Sequence, residues 1–393
     1  MKRKILLVDK SFAIGGIQSS LINMVKALGD KYEIHVLMFN NNGKLKKFFP
    51  KNIKVIEPNF LMRIHGMDVA DAKKRGILTY LFRLITGVSD KLFTNRISLW
   101  FAMLFQKKIV GYDVAIAYHH EPSNKATVSG FYRFVQRKTD APIKIGWIHY
   151  DPEFITFDDK KNLKYMQKMD KIVCVSKGAQ DKFLSYHPSL SGIIDYCYNF
   201  HDIDRVLYLS EQVGDVKFDS EKFNCFTACR LSDQKAIPRA IEAFAPVLRK
   251  NPDVMWYIAG DGNDRVNCEA AIKRENIGHQ VILMGATDNP FSYMKNCDLF
   301  ILPSIYEAAP MVYGEALICK APIFTTVNVS SYEMLDEKFS YICENSIDGM
   351  RAGLDYILSN RKIVETFKEN LLEYNQTNNL SYQKFEELTR KGE

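Results

Sequence analysis

The stretch from Asp298 to Thr326 switches between two periodicities, and neither an all-helical nor an all-strand fold accommodates it. Asp298 to Leu302 (DLFIL) reads as a short buried strand stopped by Pro303 and Ser304. Pro310 opens an apolar segment, Met311 to Cys319, suited to a helix, and Pro322 leads into a second apolar strand, Ile323 to Thr326. Strand, loop, helix, strand is the parallel α/β unit, in which ligands sit outside the carboxyl ends of the strands. Two carboxylates interrupt the apolar run. Glu307 falls in the loop and Glu315 eight residues later, about two turns at 3.6 residues per turn, so both can face one crevice. Glu315 is flanked by Ala316 and Leu317, and a charge in so apolar a helix calls for a partner. The plainer alternative has Glu307 complementing the helix N-terminus and Glu315 solvated.

A chain of 393 residues exceeds one ordinary core and predicts two domains of about 150 to 200 residues. Composition, 47% hydrophobic and 25% charged, is that of a soluble globular protein. No signal peptide is expected, because Lys2, Arg3 and Lys4 precede only a short apolar run, Ile5 to Val8, which Asp9 ends. The longest apolar stretch, Leu99 to Phe105, falls far below the roughly 18 residues of a membrane span. A soluble or peripheral protein is expected. The eight cysteines, Cys174, Cys197, Cys225, Cys229, Cys268, Cys297, Cys319 and Cys343, contain no C-x-x-C pair. Cys174, Cys197 and Cys225 sit in or beside strand-like apolar runs, which predicts reduced thiols in the cytoplasm and no structural zinc. Residues 1–110 hold 20 Lys and Arg against 7 Asp and Glu, a net +13, whereas the remainder holds 33 against 39, a net −6. The asymmetry points to an anionic surface as a partner of the first domain.

The first half reads as a strand, Lys4 to Asp9, a loop containing Gly15 and Gly16, and an amphipathic helix, Ser19 to Leu28. Backbone amides at such a helix start form an anion site, although the dinucleotide fingerprint G-x-G-x-x-G is absent. Strands follow at Glu33 to Phe39 and Ile53 to Ile56. From Lys73 to Val110 the pattern is helical, with Tyr80, Phe82, Phe93, Trp100, Phe101 and Phe105 interleaved with eight basic residues. Such a segment either packs its aromatics into a core or seats itself in the headgroup layer of an anionic membrane. Nucleic acid is not expected, for want of a recognised module. Strands resume at Asp113 to Tyr118, Ile143 to Trp147, Lys171 to Val175 and Ile193 to Tyr198. Polar clusters follow two of them: His119, His120 and Glu121, then His149 and Asp151. At the ends of parallel strands these line a crevice. If the strand continues, His119 and His120 point opposite ways and only one faces a ligand. No metal-ligand spacing is present.

A charged stretch to about Lys222 marks the junction to a second α/β series. Strand Phe223 to Ala228 leads into the loop Arg230 to Lys235 (RLSDQK). Helix Pro238 to Lys250, strand Met255 to Ala259, the turn Gly260-Asp261-Gly262 and strand Val281 to Met284 come next. Arg230 and Lys235, two cations in a loop at a strand end, suit a diphosphate.

Taken in order, Gly15-Gly16, WIHYD with His149, YNFHDID with Asn199, Arg230 and Lys235, GDG at 260–262, and Glu307 with Glu315 as E-x7-E resemble the family 4 retaining glycosyltransferases. PSIYEAAPMVYGEAL and KIGWIHYD are most similar to the enzymes of bacterial capsular and other surface polysaccharides. The resemblance spans nearly the whole chain apart from about Asn59 to Val110. It implies the GT-B architecture, α/β, with two facing Rossmann-like domains and a deep cleft between them. The domains would be an acceptor-side domain at 1–200, a nucleotide-sugar domain at 201–372, and at 373–393 a C-terminal helix returning to the first domain.

By the same resemblance, the donor site would comprise Gly15, Gly16, Arg230, Lys235, Glu307, Ala308, Ala309, Pro310, Met311, Val312 and Glu315. Arg230 and Lys235 would hold the diphosphate, Glu307 the sugar hydroxyls and Glu315 the ribose hydroxyls. His149 would sit beside the donor sugar, making His149, Glu307, Arg230 and Lys235 the catalytic set. His119, His120, Glu121, His149 and Asp151 would form the acceptor side. The donor would be a UDP-sugar, with no metal or other cofactor, and the acceptor a lipid-linked saccharide at the inner membrane face, with an anionic membrane surface met by residues 73–110. Three positions depart from the family pattern. Ala236 and Ala308 stand where glycine follows the Lys and the first Glu, and Cys229 where glycine precedes the Arg. A side chain there narrows a pocket or demands a different φ. A non-catalytic partner of another transferase and a nucleotide-sugar epimerase share the architecture and remain alternatives.

Overall fold

The computed structural model describes residues 2–121, 125–153 and 159–390. Two compact units emerge, one of Met1–Phe200 with Asn379–Glu393, the other of His201–Asn378. The first is built on a seven-stranded sheet whose strands are β1 (Lys4–Ser11), β2 (Glu33–Asn40), β3 (Lys54–Ile56), β4 (Val114–Ala117), β5 (Ile143–Ile148), β6 (Lys171–Cys174) and β7 (Ile194–Tyr196). Their order is β3-β2-β1-β4-β5-β6-β7. In the second unit β8 (Phe223–Ala228), β9 (Val254–Ala259), β10 (Val281–Gly285), β11 (Leu299–Leu302), β12 (Ile323–Thr326) and β13 (Ser340–Cys343) lie in the order β10-β9-β8-β11-β12-β13. The pairings are parallel throughout.

The central strands have nearly unbroken apolar sequences because both faces of a parallel sheet are covered. Ile5 to Val8 and Leu299 to Leu302 are wholly buried. Parallel pairing demands long crossovers, and helices supply them. Gly16–Leu28, for example, joins β1 to β2, and Ile237–Lys250 joins β8 to β9. The strand-helix-strand expected at Asp298 to Thr326 is present as β11, the helix Met311–Ile318 and β12.

The last helix, Asn379–Thr389, belongs to the first unit. Phe385 sits edge-on to Tyr32 with ring centroids 5.6 Å apart and also contacts Trp147 and Phe200. The Tyr382 hydroxyl donates to the Ala27 carbonyl at 3.1 Å, and Lys31 pairs with Glu386 at 2.6 Å. Where the chain enters and leaves the second unit, His201 N–H donates to Asn378 Oδ1 and Asn378 Nδ2 to the His201 carbonyl, each at 2.9 Å.

The region expected to be helical from Lys73 to Val110 forms two helices, Ile77–Phe93 and Asn95–Leu104, after the short helix Val69–Lys74. Its aromatics do not make a core: Phe82, Phe93, Trp100, Phe101 and Phe105 are all exposed. Among the described residues, no helix is long and apolar enough to cross a membrane.

Because Phe385 is almost fully buried among the rings of the first unit, Phe385→Ala is expected to destabilise that unit by about 3 to 5 kcal/mol. Urea unfolding followed by near-UV circular dichroism measures this.

Candidate functional site

In the second sheet, strand order reverses between β8 and β11, where a parallel sheet opens a crevice outside its strand ends. The segments leaving these two strands carry Arg230, Lys235 and Glu307. After β8 the chain makes a single 3-10 turn, Asp233–Lys235, and enters the next helix through Ala236. Closing this turn sets Lys235 Nζ against Glu307 Oε1. Glu307 is buried and has further polar partners. Ser304 Oγ donates to Oε1 at 2.7 Å, and Gln234 Nε2 approaches Oε2 at 3.4 Å while bonding the Tyr306 carbonyl at 3.0 Å. Removing one partner of such a buried pair strands the other charge, at a cost of about 3 to 5 kcal/mol.

The loop that carries Glu307 is held from beneath. Thr326 Oγ1 donates to the Ser304 carbonyl at 2.6 Å, Asn345 Nδ2 donates to the carbonyls of Ile305 at 2.7 Å and Val327 at 3.1 Å, and Arg239 fixes Asn345 through Oδ1 at 2.6 Å. None of these supports was anticipated. The available signal was a polar residue directly at or after a strand end, Thr326 on β12 and Asn345 after β13.

The Gly260-Asp261-Gly262 turn has a structural reason. A Cβ on Gly260 would lie 1.8 Å from the Cys229 carbonyl oxygen, and one on Gly262 2.1 Å from that of Leu231. Leu231 N–H donates to the Asp261 carbonyl at 3.1 Å. The turn is thus a platform for the backbone that presents Arg230, whose side chain is exposed. Burial pushes the Cys229 thiol up to about 12, against the pull of Lys235, so beside the ion pair it is a neutral thiol.

Glu315 requires a correction. The helix starts only at Met311, so residues 307–310 are loop and helical pitch does not align the two glutamates. Their surroundings differ as well. Glu315 is half-buried, and burial raises its carboxyl to about 7, opposed by Arg205 from the helix Ile203–Ser210. Arg205 was not anticipated as its partner. The Met311–Ile318 helix has no capping side chain and no acid in its first turn, so its positive end carries no internal counter-charge. Ala308, Ala309, Pro310 and Val312 lie along this entry with Met311. Further on, Gly314 lets the helix meet His201, since a Cβ there would fall 2.3 Å from His201 Nε2.

In the first sheet the order reverses between β1 and β4. Gly15 is extended (φ 175°), and a Cβ on Gly16 would touch nothing within 4 Å. Neither the backbone angle at Gly15 nor the space around Gly16 demands a glycine. Gly16 begins the Gly16–Leu28 helix, which lacks a capping side chain and a first-turn acid, the features of an anion-accepting helix start. Asp9, overlooked in sequence, is fully buried near the end of β1. Burial raises its carboxyl to about 7, and its Oδ2 has no hydrogen-bond partner among the described residues.

β4 ends at Ala117, so strand alternation does not separate His119 from His120. Their rings lie 4.8 Å apart, His119 against Phe131 and His120 edge-on to Tyr150. Burial lowers His119 to about 4 and His149 to about 3, and places His120 well below its usual value. All three are neutral at physiological pH. His149 Nε2 lies 2.8 Å from the Tyr118 carbonyl, and because a carbonyl only accepts, Nε2 carries the proton and Nδ1 is left as an acceptor. Glu121 and Asp151, expected on the acceptor side, are turned into the fold. Glu121 accepts from the amides of Gly130 and Tyr132, both at 2.8 Å, at the start of the helix Phe131–Lys138. Asp151 accepts from Glu153 N–H at 3.1 Å and pairs with Lys182 at 3.2 Å.

The departure at Ala236 has a measurable consequence. Its φ of 50° and ψ of 35° are left-handed, a conformation costing a residue with a Cβ about 1 to 2 kcal/mol. Ala236→Gly is expected to stabilise the second unit by about 0.5 to 1 kcal/mol after the entropy of the added glycine is subtracted. A raised thermal midpoint would show it.

Comparison with known proteins bears on this geometry. Residues 211–373 match the family model for glycosyl transferases group 1. The chain is 28% identical over 167 residues to the uncharacterized glycosyltransferase MJ1059 of Methanocaldococcus jannaschii, a match covering 42% of this chain and only 41% of that protein. It is 22% identical over 369 residues, 91% of each chain, to the Campylobacter jejuni N-acetylgalactosamine-N,N'-diacetylbacillosaminyl-diphospho-undecaprenol 4-alpha-N-acetylgalactosaminyltransferase. Anabaena Alr3699/HepE, solved with UDP and glucose, superposes with a TM-score of 0.65 at 18% identity over 98% of this chain and 99% of that one. The chain therefore has the GT-B fold, two Rossmann-like α/β units, the second bearing the pattern of the group 1 glycosyl transferases.

Proposed function

We propose that the protein is a retaining glycosyltransferase of surface polysaccharide synthesis, carrying a sugar from a UDP-sugar to a lipid-linked saccharide. The observation that carries this reading is the meeting of Lys235 with Glu307 at the β8/β11 reversal, with Arg230 on the same loop. A cation pair there suits a diphosphate, and a rigidly buried carboxylate beside it suits sugar hydroxyls. The Campylobacter relative named above acts on a diphospho-undecaprenol saccharide, and HepE binds UDP. Both support the substrate class.

In the proposed reaction the bond between the anomeric carbon and the diphosphate oxygen breaks, and its electron pair stays with the diphosphate. Arg230 and Lys235 stabilise that charge as it develops, in a site organised beforehand by the GDG platform and by Asn345. The acceptor hydroxyl bonds to the anomeric carbon on the same face, and its proton passes to the departing diphosphate. No metal is required in this scheme. Glu307 orients the sugar and Glu315 the ribose. Gly15, Gly16, Ala308, Ala309, Pro310, Met311 and Val312 provide backbone for the donor. His149, neutral and with Nδ1 as an acceptor, receives a hydroxyl hydrogen bond and does not act as an acid. His119 and His120 shape the acceptor side, and Glu121 and Asp151 hold its loops.

Lys235→Ala and Glu307→Ala are each expected to lower kcat by at least about 100-fold, and full activity in both would overturn the assignment. The double change Lys235→Met with Glu307→Gln removes both charges, so it should recover the stability lost by either single change while remaining inactive. Unfolding curves measured beside the transfer assay separate the two effects. Glu315 gives a pH signature. With its folded pKa raised to about 7, its contribution to stability is full below the ordinary carboxyl range and is lost as pH rises through 7. Donor binding needs the ionised form as hydroxyl acceptor, so UDP affinity should rise between pH 6 and 8. Glu315→Gln should flatten this rise in calorimetric titration.

A further inference from the structure

The helices Ile77–Phe93 and Asn95–Leu104 are amphipathic in the reverse of the usual sense. Several of their polar side chains face the protein. Thr79, Asp90 and Asn95 are buried, Arg83 Nε donates to the Met67 carbonyl at 2.8 Å, Asn95 Nδ2 to Ser129 Oγ at 2.8 Å, and Ser98 Oγ to Asp90 Oδ1 at 2.5 Å. The apolar face looks outward. Ile85, Leu92, Phe93, Ile97, Trp100 and Phe105 are all more than half exposed, Leu92 at 69%. An apolar surface of this extent on a soluble chain marks an interaction site. The bonds of Arg83 to Met67 and of Asn95 to Ala126, Ser129 and Arg133 fix which face points out, so rotating the helices to hide it would strand both side chains.

Charge decides what covers the face. Residues 73–110 contain eight Lys and Arg and a single acid, Asp90, which is buried. Lys91, Arg96, Lys107 and Lys108 are exposed beside the apolar residues. A second copy docked on the same face would bring two such basic rims together, whereas an anionic lipid surface complements both the apolar centre and the rim. We infer that this helical hairpin is an interfacial anchor: its apolar face lies among the acyl chains of an anionic bilayer, its lysines and arginines meet the headgroups, and it does not span the membrane. The inference does not depend on the proposed transferase activity.

Trp100 provides a selective reporter. Of the three tryptophans, Trp147 and Trp256 are each 1% exposed while Trp100 is 55% exposed. Vesicles of phosphatidylcholine doped with phosphatidylglycerol should shift the emission of the whole protein to the blue, and Trp100→Phe should abolish the shift. In co-sedimentation with the same vesicles, the surface variant Leu92→Glu/Phe93→Glu should bind at least about tenfold more weakly, equivalent to about 1.4 kcal/mol. Lys107→Glu/Lys108→Glu should lose the preference for doped over pure phosphatidylcholine vesicles. UDP binding, measured by calorimetry, should be unchanged in all variants, so failure of the anchor and failure of the donor site are told apart. An unshifted Trp100, or equal sedimentation of wild type and Leu92→Glu/Phe93→Glu, would overturn the inference. So would self-association, seen by analytical ultracentrifugation without lipid and abolished by the same double change, because the face would then belong to a second copy.

Discussion

Parallel strand pairing governs where this protein can do chemistry. Every strand of a sheet leaves at the same edge, and the chain reverses its order of laying down strands once in each unit, between β1 and β4 and between β8 and β11. Helices diverge at such a point, which is where parallel sheets offer a crevice. Gly15, Gly16, His119 and His120 follow the first pair of strands, and Arg230, Lys235 and Glu307 the second. Each group comes from two loops far apart in sequence, and the sheet brings those loops to one edge.

At the second reversal, the energetics of buried charge explain why so much polar structure surrounds one ion pair. Glu307 is buried with a lysine, a serine and a glutamine around it, and its loop hangs on Thr326, Asn345 and Arg239. A loop with this many internal bonds resists rearrangement, the kind of preorganisation that electrostatic catalysis in the proposed reaction needs. Ala236 works in the opposite direction. Its left-handed backbone stores strain at the turn that aims Lys235, and strain of this kind persists only where neighbouring structure over-determines it.

The hairpin at 77–104 follows the same physics with the solvent exchanged. Asn95 hydrogen-bonds inward to Ser129 and the buried Asp90 is met by Ser98 of the same hairpin, while Leu92 and most of the aromatics are left outside. In water alone this would be an unfavourable distribution of side chains. Beside an acyl layer it is the favourable one.

Much of the architecture was legible in the residues themselves. Alternating apolar runs and helical segments specify parallel α/β units, because a strand covered on both faces must be apolar throughout, and Val8, Ala228 and Leu302 end such runs at points that polar residues mark. The candidates Arg230, Lys235, Glu307 and His149 were visible for the same reason. Tertiary structure decided the rest. Local sequence does not show that Glu121 bonds the amides of Gly130 and Tyr132, that Arg205 faces Glu315, that His119 lies against His120, or that the aromatics of the hairpin point outward. Each of these depends on which distant group lies within hydrogen-bonding or contact range, and helical pitch or strand alternation, being local, carries no record of it. The place where the Met311–Ile318 helix begins sets the separation of Glu307 from Glu315 in the same way: the sequence counts eight residues, and only the fold determines how many of them are helix.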